Sequence, residues 1–194
     1  MNKVEKFMET WKAWEETYKG EEESDRFWME TAKVVAFEMH KGVKDKVGQP
    51  YFNHPASIVK VLDNLEYPFS TQAVAYLHDV IEDIPEATLG FLREIGFPEN
   101  IVNSVDSITR RDGESYFQYI IRVSKNPMAK DVKLFDLKHN TSLDRVLYDP
   151  STMEKDIYRL TKYAISYQFL SGKIDKKGLE KRLEEIYHFL LDGV

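Results

Sequence analysis

The 194 residues contain no cysteine, which excludes a disulfide framework and any thiolate metal site. That composition fits a reducing cytoplasm, the expected location. Long apolar runs are also missing: none approaches the roughly 20 residues that a membrane-spanning helix needs. The N-terminal stretch is too polar and acidic to read as a secretory signal. Excess positive charge is lacking too. A formal net charge of −6 gives no general affinity for nucleic acid or an anionic membrane, so neither is an expected partner. Internal repeats, low-complexity tracts and convincing alternating strands are absent.

What is present is helical periodicity, enough for one all-α domain of roughly nine or ten helices over 1–194. Val4, Phe7, Trp11, Trp14 and Tyr18 recur three and four residues apart. They form the stripe of an amphipathic helix that packs on the domain's own core or, alternatively, on a second copy of the chain. Glycine and charge at 19–25 read as a loop, so a helix-plus-loop segment occupies 1–23. A core at 24–145 begins with a helix whose buried side carries Phe27, Thr31, Val34, Val35 and Met39. The stretch 40–50, HKGVKDKVGQP, is a loop by its turn residues. Pro55 suits the first turn of the next helix, with His54 at or just before its start. Ser70 can cap a helix over 71–83, which Pro85 ends. Further helices are predicted over 86–95, 98–109, 114–124 and from Pro127 onward. Two C-terminal helices, about 151–170 and 175–191, fall in a segment spanning 146–194; Leu179, Leu183, Ile186 and Leu190 stripe the last.

The run AYLHDVIED places His78, Asp79, Glu82 and Asp83 within two helical turns. Residues three and four apart share a helix face. Three close carboxylates repel one another unless a positive group sits among them or some are protonated. A divalent cation is the simplest remedy; a solvated helix end is the alternative. His54, beside a proline, reads either as a cap or as a ligand. In VKLFDLKHNTSL, Asp136, His139 and Asn140 share one face among apolar neighbours, where an acid is costly unless paired or metal-bound. His54, His78, Asp79 and Asp136 together make a mixed nitrogen and oxygen set that suits manganese, iron, nickel or zinc. Glu82 and Asp83, surplus to the ligand count, fit a role in orienting an attacking water and taking its proton.

The order PYFNHP, LHDVIED, KLFDLKHN resembles the HD-domain metal-dependent phosphohydrolases. It is most similar to the RelA/SpoT-type hydrolase domain and the free-standing small alarmone hydrolases, over roughly 31–143. That resemblance implies an all-helical fold with one manganese ion held by His54, His78, Asp79 and Asp136. It makes Glu82 and Asp83 the acidic pair that activates water. The reaction it implies removes the 3′ pyrophosphate from ppGpp or pppGpp, leaving GDP or GTP. Asn140 matches a position close to the nucleotide, and Lys46 a basic residue that meets substrate phosphates. Arg110 and Arg111 match more loosely a basic residue after a threonine. On Coulombic grounds Lys41, Lys44 and Lys46 are candidates to compensate a polyphosphate, although solvation explains most exposed cations.

The first loop departs from the family pattern HxGQxRKxGxPY. Asp45 stands where an arginine stacks on guanine, and Val43 where a glutamine stands. Leu137 and Lys138 follow Asp136 where an arginine is common. An aspartate cannot stack as a guanidinium does. The alternatives are therefore the same chemistry on an adenine alarmone, NADPH or a nucleoside phosphate, and a catalytically silent nucleotide- or protein-binding module. A synthetase or regulatory domain does not fit in this length, so the expectation is a stand-alone hydrolase, with a homo-oligomer compatible with the aromatic first helix.

Overall fold

A computed structural model describes residues 1–15, 24–145 and 149–192. Tyr18, the expected loop at 19–23 and the side chains of Trp14 and Leu190 lie outside the described residues. Over the described residues the architecture is all α, with one isolated bridge between Lys44 and Pro50 and no strand. No described helix is long and apolar enough to cross a membrane. The chain forms two compact units, Met1–Arg110 and Arg111–Val194.

The first unit holds α1 (Lys3–Glu15), α2 (Asp25–Met39), α3 (Asn53–Asn64), α4 (Phe69–Leu77), α5 (Val80–Asp83), α6 (Leu89–Ile95) and α7 (Glu99–Ile108). Helix α4 is its centre: every residue from Ser70 to Leu77 is buried, as expected of a helix with neighbours on several sides. It packs against α2, α3 and α7. Helix α1 covers this core rather than projecting from it. Phe7 and Trp11 are buried, and the Phe7 ring meets Phe91 edge-on at 5.9 Å.

Helix α2 starts where its cap residue directs, with Ser24 Oγ accepting from the Phe27 N–H. Its buried face is turned from the expected one. Trp28 packs on Phe97 at 5.3 Å, which leaves Phe27 half-buried and Val34 exposed. Ser70 does not cap α4; the carbonyl of Pro68 accepts the first bonds and Ser70 is buried in the opening turn. Thr88 caps α6, which therefore begins at Leu89 and not at 86. Gly96, with φ +100, turns the chain between α6 and α7, a conformation that favours glycine.

The all-α bundle is as expected, but the helix expected over 71–83 is two helices, α4 and α5. The break lies at His78 and Asp79. The imidazole of His78 places Nδ1 2.7 Å from the carbonyl of Ala75, competing for the acceptor that the Asp79 N–H would use in an unbroken helix. A side chain inserted into the backbone ladder is a recognised cause of helix breaks.

The second unit contains α8 (Tyr116–Ser124), α9 (Pro127–Asn140), a 3-10 turn (Leu143–Arg145), α10 (Met153–Leu170) and α11 (Lys176–Asp192). Ser115 and Gln118 form a reciprocal capping box at α8. Asn126 caps α9 ahead of Pro127. Helix α10 packs along α9 and α11. Leu179 is buried, while Leu183 and Ile186 are half-buried.

Candidate metal centre

Three side chains of the first unit converge. His54, in the first turn of α3, is buried, as is His78 at the α4 end. Asp79 occupies the two-residue break before α5. His78 Nε2 lies 3.1 Å from Asp79 Oδ2, and His54 Nε2 lies 3.5 Å from the same oxygen. One ligand atom from each residue falls within 4.8 Å of the others. Ligand bonds of about 2.1 Å let a divalent ion bridge atoms up to about 4.2 Å apart, so both distances to Asp79 suit a shared ion.

The chemistry of these donors fits a cation. A carbonyl only accepts, so the 2.7 Å contact to Ala75 puts a hydrogen on His78 Nδ1. Nε2 then carries a lone pair facing a carboxylate oxygen. Two acceptor atoms at that separation repel unless a proton or metal ion lies between them. A backbone carbonyl fixing the outer nitrogen of an imidazole is also the usual support of a metal-binding histidine.

Tyr51 completes the arrangement and was not singled out from the sequence. Its O–H donates to Asp79 Oδ2 at 2.6 Å. Burial, and then the charges of Asp79 and Asp83, push the phenol well above its ordinary range, so it stays a donor. His40 was missed as well. Its ring stacks on Tyr51 at 4.7 Å, with Nε2 3.6 Å from Asp83 Oδ2. Tyr51 stands one turn before His54, a spacing that hinted at a shared site. His40 opens the HKGVKDKVGQPY stretch that Tyr51 closes, but the pattern gave neither of them a role.

Because the motif helix is broken, Glu82 and Asp83 do not simply continue the face of Asp79. Glu82 is exposed, and its Oε2 accepts from the Arg110 N–H at 3.3 Å. Asp83 turns one oxygen towards His40. Lys44 and Lys46 are exposed on the loop after α2, and Lys41 pairs with Glu38 at 3.1 Å. Asp45 organises that loop: its Oδ1 accepts from Val47 N–H at 3.1 Å and Gln49 N–H at 2.9 Å. The Tyr51 N–H donates to the Val43 carbonyl, tying the loop to the tyrosine.

Asp136 and Asn140 belong to the second unit. Asp136 is buried on α9, where Lys133 Nζ lies 2.7 Å from Oδ2 and Asn140 Nδ2 2.5 Å from Oδ1. Burial opposes the charge of Lys133, but Asp136, helped by Tyr119 and Tyr116, outweighs it and holds the ammonium well above the usual lysine range. His139 faces Arg145 instead.

No family model matches the chain. It is 29% identical over 128 residues to a GTP pyrophosphokinase of Streptomyces coelicolor, covering 61% of this chain and 15% of that protein. It is 27% identical over 136 residues to the bifunctional (p)ppGpp synthase/hydrolase SpoT of Escherichia coli, covering 64% of this chain and 19% of that protein. A match to the GTP pyrophosphokinase rsh of Brucella melitensis reaches 26% identity over 166 residues, covering 80% of this chain and 21% of that protein. The chain thus spans about a fifth or less of the curated relatives' length. Among solved structures, a metazoan ortholog of SpoT that hydrolyses ppGpp superposes with a TM-score of 0.56 at 20% identity. That match covers 83% of this chain and 94% of the other. In sequence the chain is thus similar to RelA/SpoT-type proteins, and in fold to a SpoT ortholog.

Proposed function

We propose that the protein hydrolyses the 3′ pyrophosphate of ppGpp or pppGpp, giving GDP or GTP and pyrophosphate. The observation that carries this reading is the convergence of His54, His78 and Asp79, with a lone pair of His78 directed at Asp79. The activities of the proteins it resembles, a (p)ppGpp synthase/hydrolase and a SpoT ortholog that hydrolyses ppGpp, suggest the substrate class. We assign the metal as manganese, held by His54, His78 and Asp79. Asp136 joins as a fourth ligand on the strength of its sequence motif alone. Bound there, a divalent cation supplies a Lewis acid and lowers the pKa of a coordinated water.

The remaining roles fall to the protein's own groups. Tyr51 holds Asp79 in place through its hydroxyl. Glu82 and Asp83, both exposed carboxylates beside the cluster in sequence, orient the attacking water and take its proton. Lys44, Lys46 and Arg110 offset phosphate charge, and Asn140 meets the nucleotide. The test is manganese-supplemented hydrolysis of a nucleotide panel with products separated by chromatography. Conversion of ppGpp to GDP and pyrophosphate, abolished by EDTA, is the expected result. For the fourth ligand, Asp136→Asn should weaken manganese binding; undiminished binding removes Asp136 from the set.

Asp45 favours a second reading of the same chemistry. Its carboxylate is engaged inside the loop by two backbone N–H groups, at the position where the family pattern has a base-stacking arginine. Turnover of an adenine alarmone, NADPH or a nucleoside phosphate in place of ppGpp would retain the mechanism and change the base.

A further inference from the structure

Helix α10 packs along α9, and on the face it turns inward Leu160, Ala164 and Tyr167 recur four and three residues apart. With Leu137 of α9 they line a cleft of about 500 Å³ inside the second unit. That volume lies within the range of small-molecule pockets. Leu137 is buried while Ala164 is exposed, so the cleft opens to solvent along α10.

Two ammonium groups border this apolar lining. Lys138 Nζ lies 5.4 Å and Lys173 Nζ 5.8 Å from the centre of the Tyr167 ring. Both lysines line the cleft, and both are exposed. Neither has a carboxylate partner among the described residues. The sequence explains this, since no acid stands three or four positions from either one. Lys33, Lys41 and Lys181, by contrast, each pair with a glutamate three or four positions away. The backbone of Lys173 is set in advance. Gly172 takes φ +75, and the N–H groups of Lys173 and Ile174 both donate to the Gln168 carbonyl, at 2.8 and 3.3 Å.

An exposed cation over an aromatic face is held weakly, and a charge-assisted hydrogen bond to an anion is stronger. Two like charges brought to one ring also repel each other. An anion between them relieves both conditions. The apolar lining beside it suits a hydrocarbon or aromatic body, whose transfer from water is favourable.

We propose that this cleft binds a small amphiphilic anion. Its carboxylate or phosphate lies between Lys138 and Lys173, and its apolar body lies against Leu160, Ala164 and Tyr167. The site uses none of the residues assigned to metal or substrate. On α9 itself, Lys138 is about 200° round the helix from Asp136.

Amide spectra of the full chain, titrated with two pairs of probes, test the proposal. Octanoate and phenylphosphonate each carry an anion on an apolar body; 1-octanol lacks the anion and inorganic phosphate lacks the body. Octanoate, phenylphosphonate or both should shift the signals of 137–141 and 160–173 saturably, at one site per chain. A response to octanoate alone identifies an alkyl carboxylate as the ligand class, and one to phenylphosphonate alone an aryl phosphate. Lys138→Gln and Lys173→Gln should each weaken binding by about 10-fold, the loss of one hydrogen bond to a charged group. Ala164→Trp, which fills the cleft from an exposed position, should abolish it. Melting temperature should be unchanged in all three variants.

An equal response to 1-octanol overturns the proposal, because the lysines then play no part. An equal response to inorganic phosphate overturns it as well, because the cleft then plays none. Absence of any saturable shift, or full affinity in Ala164→Trp or in the double lysine variant, has the same force. No metal or nucleotide enters these titrations. A chain that binds octanoate but does not turn over ppGpp would therefore keep this site and lose the hydrolase reading.

Discussion

Asp79 of the first unit and Asp136 of the second sit in contrasting surroundings. The Asp79 carboxylate meets two imidazole nitrogens and a phenol, and none of these brings a fixed positive charge. Asp136 meets an ammonium at 2.7 Å and an amide at 2.5 Å on its own helix. One acid is neutralised by its neighbour three residues earlier. The other is surrounded by groups suited to hold a metal cation. The difference teaches that carboxylates of one chain can be met by a lysine ammonium or by imidazole and phenol groups. For Asp136 the metal role rests on its motif, while for Asp79 it also rests on the lone-pair direction of its neighbours.

Replacing Asp79 by asparagine is expected to have the largest effect, since it removes the only carboxylate of the three converging residues. Hydrolysis should fall to background at every manganese concentration, and recovery at high manganese would weaken the contrast. Glu82→Gln comes next, lowering kcat by about 10²-fold to 10³-fold if it helps to take the water's proton, with manganese stoichiometry intact by atomic absorption. Full activity in that variant would remove Glu82 from the catalytic role.

In the second unit the contrast predicts a loss of stability. Lys133→Met removes one partner of the buried Lys133–Asp136 ion pair, a change that typically costs about 3–5 kcal/mol. Denaturant unfolding should show it, and an unchanged midpoint would mean that Asp136 is neutralised by something else. The pH dependence has a definite sign. The Lys133 ammonium is held above its ordinary range, so its contribution is fully present below about pH 10 and lost as pH rises through the folded value. Tyr51→Phe should have the smallest effect, weakening manganese binding by about 10-fold to 100-fold as for other groups that orient a ligand. Titration calorimetry would register it.

Much of this fold could be read from local signals. Ser24, Pro127 and the Gly96–Pro98 break act within a few residues of themselves, and the helices begin and end near them. The His78–Asp79 pair and the approach of His54 were likewise legible, because each sits in a short motif. The helix break was not, since it comes from a side chain taking a backbone carbonyl that any helix would offer. The partners of Tyr51 and His40 lie 28 and 43 positions along the chain (79 − 51 and 83 − 40). No periodicity links residues so far apart, so only the packed fold could pair them. Asp45 shows the converse. Its departure from the family pattern was visible in the sequence, but its hold on the loop through Val47 and Gln49 was not.

The central claim is that the first unit carries a metal centre built on Asp79. Manganese binding followed by electron paramagnetic resonance, in the wild type and in Asp79→Asn, tests it most directly. The account predicts one tight site per chain in the wild type and none in the variant. A wild type that binds no manganese, or a variant that binds it equally well, would contradict it.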